Sequence, residues 1–194
     1  MNTYFAGIDA SIKNTGLVVL SSDGDLITYC NSRDIKEDRT AKNYKTKTML
    51  SRAAYIGSTI DAISVDADIR IGYENYSFGS THKAFSLAEF GGILKSFIVS
   101  KTEHDFVLFA PTTVKKFATG NAFATKDSII AQAKFESEAI NALGAELTDD
   151  ICDAYFIAKL VWYITDRERA AACEKNKRLL RNRLEMSKEL AHGN

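Results

Sequence analysis

Residues 4–31, YFAGIDASIKNTGLVVLSSDGDLITYCN, decide the fold. Tyr4–Asp9 reads as a buried strand and Gly16–Ser21 as a second. Ser22, Asp23, Gly24 and Asp25 are turn residues, and Leu26–Asn31 reads as a third strand. Connections this short predict an antiparallel meander. Working outward, residues 46–64 have a helical pattern, with Met49, Ala53, Ile56, Ile60 and Ile63 on one stripe. A strand is expected over 69–74, a helix over 87–99 and a fifth strand over 106–110. Pro111 opens the next helix, where its missing N–H costs little. A meander followed by strand–helix units predicts an α/β fold: a five-stranded mixed sheet with helices on both faces.

From Asp149 onward the pattern reads as one long helix or two. Residues 151–164 are almost wholly apolar and should be buried. Residues 166–194 change character, carrying Arg167, Arg169, Lys175, Lys177, Arg178, Arg181, Arg183 and Lys188 against fewer acids. They read as a solvated basic helix, or as a DNA-contacting or dimer-supporting arm. The expected division is therefore a domain over 1–165 and a basic C-terminal helical extension over 166–194.

A chain of 194 residues with 45% hydrophobic side chains can build one packed core without disulfides. Its formal net charge is zero, which leaves a polyanionic partner open, because a binding face depends on where charges lie. Cys30, Cys152 and Cys173 have neither zinc-ligand nor CxxC spacing, and read as buried, inert thiols of a reducing cytosol. No signal peptide and no apolar run of membrane-spanning length is visible, so a cytoplasmic protein without membrane association is expected.

The chemistry lies in the acids. Asp9 ends the first strand and Glu74 the fourth; if those strands are neighbours, the two carboxylates sit side by side at one sheet edge. Like charges so placed repel, and a bound cation is the natural counter-charge. Asp150 and Asp153, spaced i, i+3, share a face at the start of the most apolar helix. Acids at a helix N-terminus suit the macrodipole, with Thr148 as N-cap, and that alone would explain Asp149 and Asp150. It does not explain Asp153, one turn further in. Four clustered carboxylates with no matching His or Cys form an all-oxygen set, which selects Mg²⁺ or Mn²⁺ over zinc. Two such ions about 3.5–4 Å apart would clamp a phosphodiester.

Four segments together resemble the RuvC family of Holliday junction resolvases, whose fold is RNase H-like. They are GIDASIKNTGLVVL (7–20), IGYENYSFGSTHKAFSLAEFGGILKSFI (71–98), APTTVKKFATGNAFATKDSIIAQA (110–133) and DDICDAYFIAKL (149–160). They occur in family order. The resemblance implies that Asp9, Glu74, Asp150 and Asp153 bind two Mg²⁺ ions, with Mn²⁺ able to substitute. It implies a homodimer that nicks opposed strands of four-way DNA junctions. Lys126 corresponds to a family lysine near the scissile phosphate, a catalytic role, and Lys115, beside Lys116, to a second basic DNA-contacting position. An aromatic after the second acid stacks on a base in the family; here Tyr76 and Phe78 flank that offset and both stay open. The charged stretch 32–48 and the segment after 166 depart from the family pattern.

Three other readings remain. A branched-DNA or flap nuclease of the same fold would share the chemistry and differ in substrate shape. A nucleotide-binding protein of the actin and sugar-kinase type needs two such domains around a cleft, for which the chain is short. A non-catalytic DNA-binding module would have no reason to keep four costly clustered carboxylates.

Overall fold

A computed structural model describes residues 2–65, 67–75, 84–101 and 106–192. The chain forms β1 (Asn2–Asp9), β2 (Gly16–Ser21), β3 (Leu26–Asn31), α1 (Tyr44–Ser64), β4 (Ala67–Glu74), α2 (Ala84–Lys101), β5 (Phe106–Phe109) and α3 (Pro111–Thr119). It continues through α4 (Lys126–Glu136), α5 (Glu138–Ala142), α6 (Asp149–Thr165), α7 (Arg167–Ala172) and α8 (Lys177–His192). The sheet order is β3-β2-β1-β4-β5. β1–β2 and β2–β3 pair antiparallel, and β4 lies parallel to both β1 and β5. The mixed five-stranded sheet expected from the meander is therefore present. β2 and β3 have the expected limits, whereas β1, α1, β4 and α2 each extend a few residues further.

Side chains alternate faces along a strand, and here both faces are covered. Ala6, Ile8, Leu17, Val19, Ile69 and Ile71 pack with Ile56, Ile60, Phe90, Leu94 and Ile98 of α1 and α2. Phe5, Val18, Leu20 and Phe109 face the other way, into a core shared with α6 and its neighbours. Gly7, Asp9, Gly16, Gly72 and Glu74 have the parity of this second face.

α6 is the buried central helix: its residues 154–163 are all buried. Its approach to the sheet depends on two glycines. A Cβ on Gly7 would lie 2.0 Å from the Ala154 carbonyl oxygen and 2.3 Å from the Ala158 nitrogen. A Cβ on Gly16 would lie 2.3 Å from the Asp150 carbonyl oxygen. These are backbone atoms that cannot turn aside, so only glycine lets α6 lie this close.

Beyond α6 the structure corrects the sequence reading in three places. The region from Asp149 is three helices. Asp166 breaks the run: its N–H closes α6 on the Trp162 carbonyl at 2.8 Å, and its carboxylate accepts from the Arg169 N–H at 3.3 Å to start α7. Arg183, grouped in sequence with a solvated basic face, is fully buried. It donates to Glu136 and Glu174, each at 2.6 Å, and to the Phe117 and Ala118 carbonyls at the end of α3, each at 3.0 Å. The buried Lys159 of α6 pairs with the same two glutamates. The network pins α8 to α3, α4 and α6, while Lys175, Lys177, Arg178, Arg181 and Lys188 face solvent. Finally, Cys30 and Cys152 are buried as expected, but Cys173, just past the end of α7, is exposed.

The charged stretch 32–48 is also tied down. Ser32–Asp34 forms a single 3-10 turn. The buried Arg52 of α1 donates to the Ile12 carbonyl at 2.6 Å and the Ile35 carbonyl at 3.2 Å, linking this stretch to the β1–β2 turn.

Candidate active site

The C-terminal ends of β1 and β4 bring Asp9 and Glu74 together. The parallel register pairs Ile8 with Tyr73, so the next step sets Asp9 beside Glu74. Both point to the α6 face by strand parity. On α6, Ala154 and Ala158 meet Gly7, and Ile157 and Val161 meet Gly72. These positions form one i, i+3, i+4, i+7 stripe, and its N-terminal continuation is Asp150 and Asp153. The stripe that packs the helix on the sheet thus delivers two acids to the edge where the strands deliver theirs. Thr148 fixes the helix start: its hydroxyl accepts the Ile151 N–H at 3.3 Å and bonds Asn31 of β3 at 3.2 Å. The sequence expectation of Thr148 as N-cap holds.

The four carboxyls sense one another. Burial, then the charges of Glu74, Asp153, Asp150 and Asp149, hold the Asp9 carboxyl well above the usual carboxylate range. Glu74 is pushed up to about 8, first by burial and then by Asp153. Asp150 and Asp153 each rise to about 6, first by burial and then by Asp149. Lys115 counters the rise at Glu74 and Asp153, and Lys126 at Asp150 and Asp153. Both lysines are therefore within charge reach of the cluster. Lys126, the first residue of α4, is exposed and forms an ion pair with Asp149.

As their side chains are placed, no three ligand groups among the described residues stand close enough to hold a metal ion. The donor set nevertheless fits a hard divalent cation. It is all carboxylate, it carries a collective charge that burial makes costly, and Asp153 Oδ1 is buried without a hydrogen-bond partner.

Lys116 is exposed, and its carbonyl accepts from Asn182 of α8 at 3.4 Å. Tyr76 and Phe78 lie outside the described residues. Sequence reasoning left Asp149 open, and the structure gives it a partner in Lys126. It also missed Arg33, whose charge reaches Asp150. No local pattern in the sequence joins position 33 to position 150; β3 and the N-terminus of α6 have to be brought together first.

No curated protein sequence matches the chain. Among solved structures it is similar to RuvC of Thermus thermophilus, with 18% identity, a TM-score of 0.57, and coverage of 84% of this chain and 95% of that one. It is also similar to T. thermophilus RuvC in complex with a Holliday junction substrate, with 16% identity, a TM-score of 0.57, and coverage of 82% and 92%. At these identities the likeness speaks for the fold, which is RNase H-like. Residues 5–160 match the family profile described as crossover junction endodeoxyribonuclease RuvC. With most of its 194 residues inside that match, the chain belongs to the RuvC family of crossover junction endodeoxyribonucleases, metal-dependent nucleases that resolve Holliday junctions.

Proposed function

We propose that the protein cuts opposed strands of four-way DNA junctions as a homodimer, using Asp9, Glu74, Asp150 and Asp153 to hold two Mg²⁺ ions, for which Mn²⁺ can substitute. One observation carries this reading: two strand ends and one helix face bring four mutually repelling carboxylates to one edge of the sheet, in a chain of this family. The ions would supply Lewis acidity on both sides of the phosphodiester. The ends of β1 and β4 and the start of α6 support this reading, since ligation would draw together side chains carried on neighbouring elements.

The chain's own residues do the rest. Lys115 and Lys126 offset the repulsion a DNA phosphate would meet at the acids, and Lys126 can exchange Asp149 for the phosphate as charge develops. Lys116, exposed to solvent, contacts the backbone further away, and Tyr76 or Phe78 stacks on a base near the crossover. Water oxygen bonds to phosphorus and the bond to the 3′ oxygen breaks. That oxygen takes a proton, leaving 3′-hydroxyl and 5′-phosphate ends. Residues 1–165 would carry the nuclease chemistry, and the basic helical extension over 166–194 would complete the same packed unit through Arg183. The protein works on DNA in the cytoplasm, where its three cysteines remain thiols.

The test compares labelled four-way, three-way, flap and linear duplex DNA in Mg²⁺. Paired symmetric nicks confined to the four-way substrate are expected. Equal cutting of all branched forms would make the protein a general branch nuclease, and no cutting of any would overturn the reading.

A further inference from the structure

The loop between α3 and α4 presents Phe123 to solvent. The ring is 85% exposed, more than any other large apolar side chain among the described residues. A single exposed hydrophobic is ordinary on a protein surface and by itself means nothing. Its mount and its neighbours set Phe123 apart.

The mount is fixed on both sides of the ring. Gly120, in the left-handed region at φ 82°, ends α3 by donating to the Lys116 carbonyl at 2.8 Å. The Asn121 side chain accepts the Phe123 N–H at 2.9 Å, and the Asn121 carbonyl accepts the Ala124 N–H at 3.2 Å. Ala124 is buried, and Thr125 caps α4 through the Ser128 N–H at 3.3 Å. The backbone that carries the ring is thus held by bonds made when the protein folds. A ligand therefore meets a contact that needs little further ordering.

The neighbours in sequence are polar or charged: Asn121, Thr125, Lys126 and Asp127 are all exposed. Lys126 follows three residues later, and three residues span at most about 10 Å. The Phe123 backbone thus lies within that reach of the backbone of the lysine paired to Asp149 at the edge of the carboxylate cluster. An exposed aromatic ring close in the chain to a cation is a combination that binds unpaired bases: the cation holds the backbone, and the ring stacks without asking which base it meets.

We propose that Phe123 is a base-stacking contact for an unpaired nucleotide of branched DNA next to the phosphate being cut. It is distinct from any contact made by Tyr76 or Phe78. The proposal rests on the nuclease reading above. Phenylalanine has no hydrogen-bonding group, so Phe123 reads the presence of an unstacked base and not its identity. It would favour branch points over continuous duplex.

The test uses the full chain with Phe123→Ala, Phe123→Trp and Phe123→Leu. Binding to a four-way junction and to linear duplex is titrated in Ca²⁺, and 2-aminopurine placed at the crossover reports stacking. Phe123→Ala should weaken junction binding about tenfold or more, leave duplex binding and the unfolding midpoint unchanged, and abolish quenching of the probe. Phe123→Trp should retain binding and quenching, and Phe123→Leu should retain neither. Wild-type affinity in Phe123→Ala overturns the proposal, as does equal recovery by leucine, or an equal loss on linear duplex. If the wild-type protein neither binds nor cuts branched DNA, the nuclease reading falls and this contact with it. If it does both and Phe123→Ala is indistinguishable, only the contact falls.

Discussion

At the scale of single residues, the four carboxylates are an instability that function requires. Asp150 and Asp153 keep a proton up to about pH 6 and Glu74 up to about pH 8 in the folded chain. In the unfolded chain all of them ionise near pH 4. Between those values the unfolded state has lost protons that the folded state still holds, so raising the pH favours unfolding. In EDTA the unfolding midpoint should therefore fall as pH rises from about 4 to 8, and Asp150→Asn should recover part of the loss at pH 8. A gain on the order of 1 kcal/mol, or about 2–4 °C, is expected. The same variant in Mg²⁺ should lose roughly a hundredfold or more in cleavage, about 2.7 kcal/mol of transition-state stabilisation, while still binding junctions. Cleavage near the wild-type rate would break the assignment of Asp150. Glu174 works in the opposite direction. Burial pushes it up, but Lys159 and Arg183 together pull it down to about 2, so its contribution holds above about pH 4.5 and is lost as pH falls towards 2.

At the scale of elements, the site is a packing result. The strand-ending acids were legible in sequence as a pair, because Asp9 and Glu74 each close an apolar run on strands expected to be neighbours. The pair on α6 was legible because i, i+3 spacing holds in any helix. The distance of α6 from the sheet was not legible, since Gly7 and Gly16 read as turn or strand residues until the helix above them is placed. Gly16→Ala would set a Cβ 2.3 Å from the Asp150 carbonyl. A destabilisation of about 1–3 kcal/mol is expected, with strain near the upper end because the obstacle is backbone. Metal-dependent stabilisation should weaken in the same variant, because Asp150 moves with its carbonyl. Gly92 in α2 is the control: nothing lies within 4 Å of its Cβ position, so Gly92→Ala should stabilise by about 0.5–1 kcal/mol. Thermal unfolding with and without Mg²⁺ separates the two. Equal, small effects from both variants would mean that α6 is not held by the glycine contact.

At the scale of the whole molecule, zero net charge conceals a division of labour. Some charges face solvent at the catalytic edge and along α8, while others lie inside as the Glu136, Lys159, Glu174 and Arg183 network. The family match ends at residue 160, yet α8 is joined to the matched part by its most buried cation. Sequence alone reads Arg183 as one more basic residue in a basic segment. Its helical position, shared with Leu179, Met186 and Leu190, places it on the apolar stripe, and only the partners on α4 and past α7 make that tolerable. Arg183→Met keeps an unbranched apolar stem but removes the guanidinium and its charge, leaving Lys159 alone against two buried glutamates. Breaking a buried ion network from one side costs about 3–5 kcal/mol. The guanidinium also satisfies two carbonyls at the end of α3, which methionine cannot. Arg181, exposed and paired with Glu185 one turn away, gives the contrast. Arg181→Ala should leave the denaturant midpoint unchanged, because an exposed pair of this kind is screened by solvent. If α8 is an integral part of the domain, Arg183→Met should lower the midpoint of one cooperative transition, seen alike by far-UV circular dichroism and by Trp162 fluorescence. If α8 is an appendage, the far-UV signal should lose a helical fraction early while Trp162, buried on α6, holds its wild-type midpoint. The ion network argues for the first outcome, since α3, α4, α6 and α8 share the same buried charges.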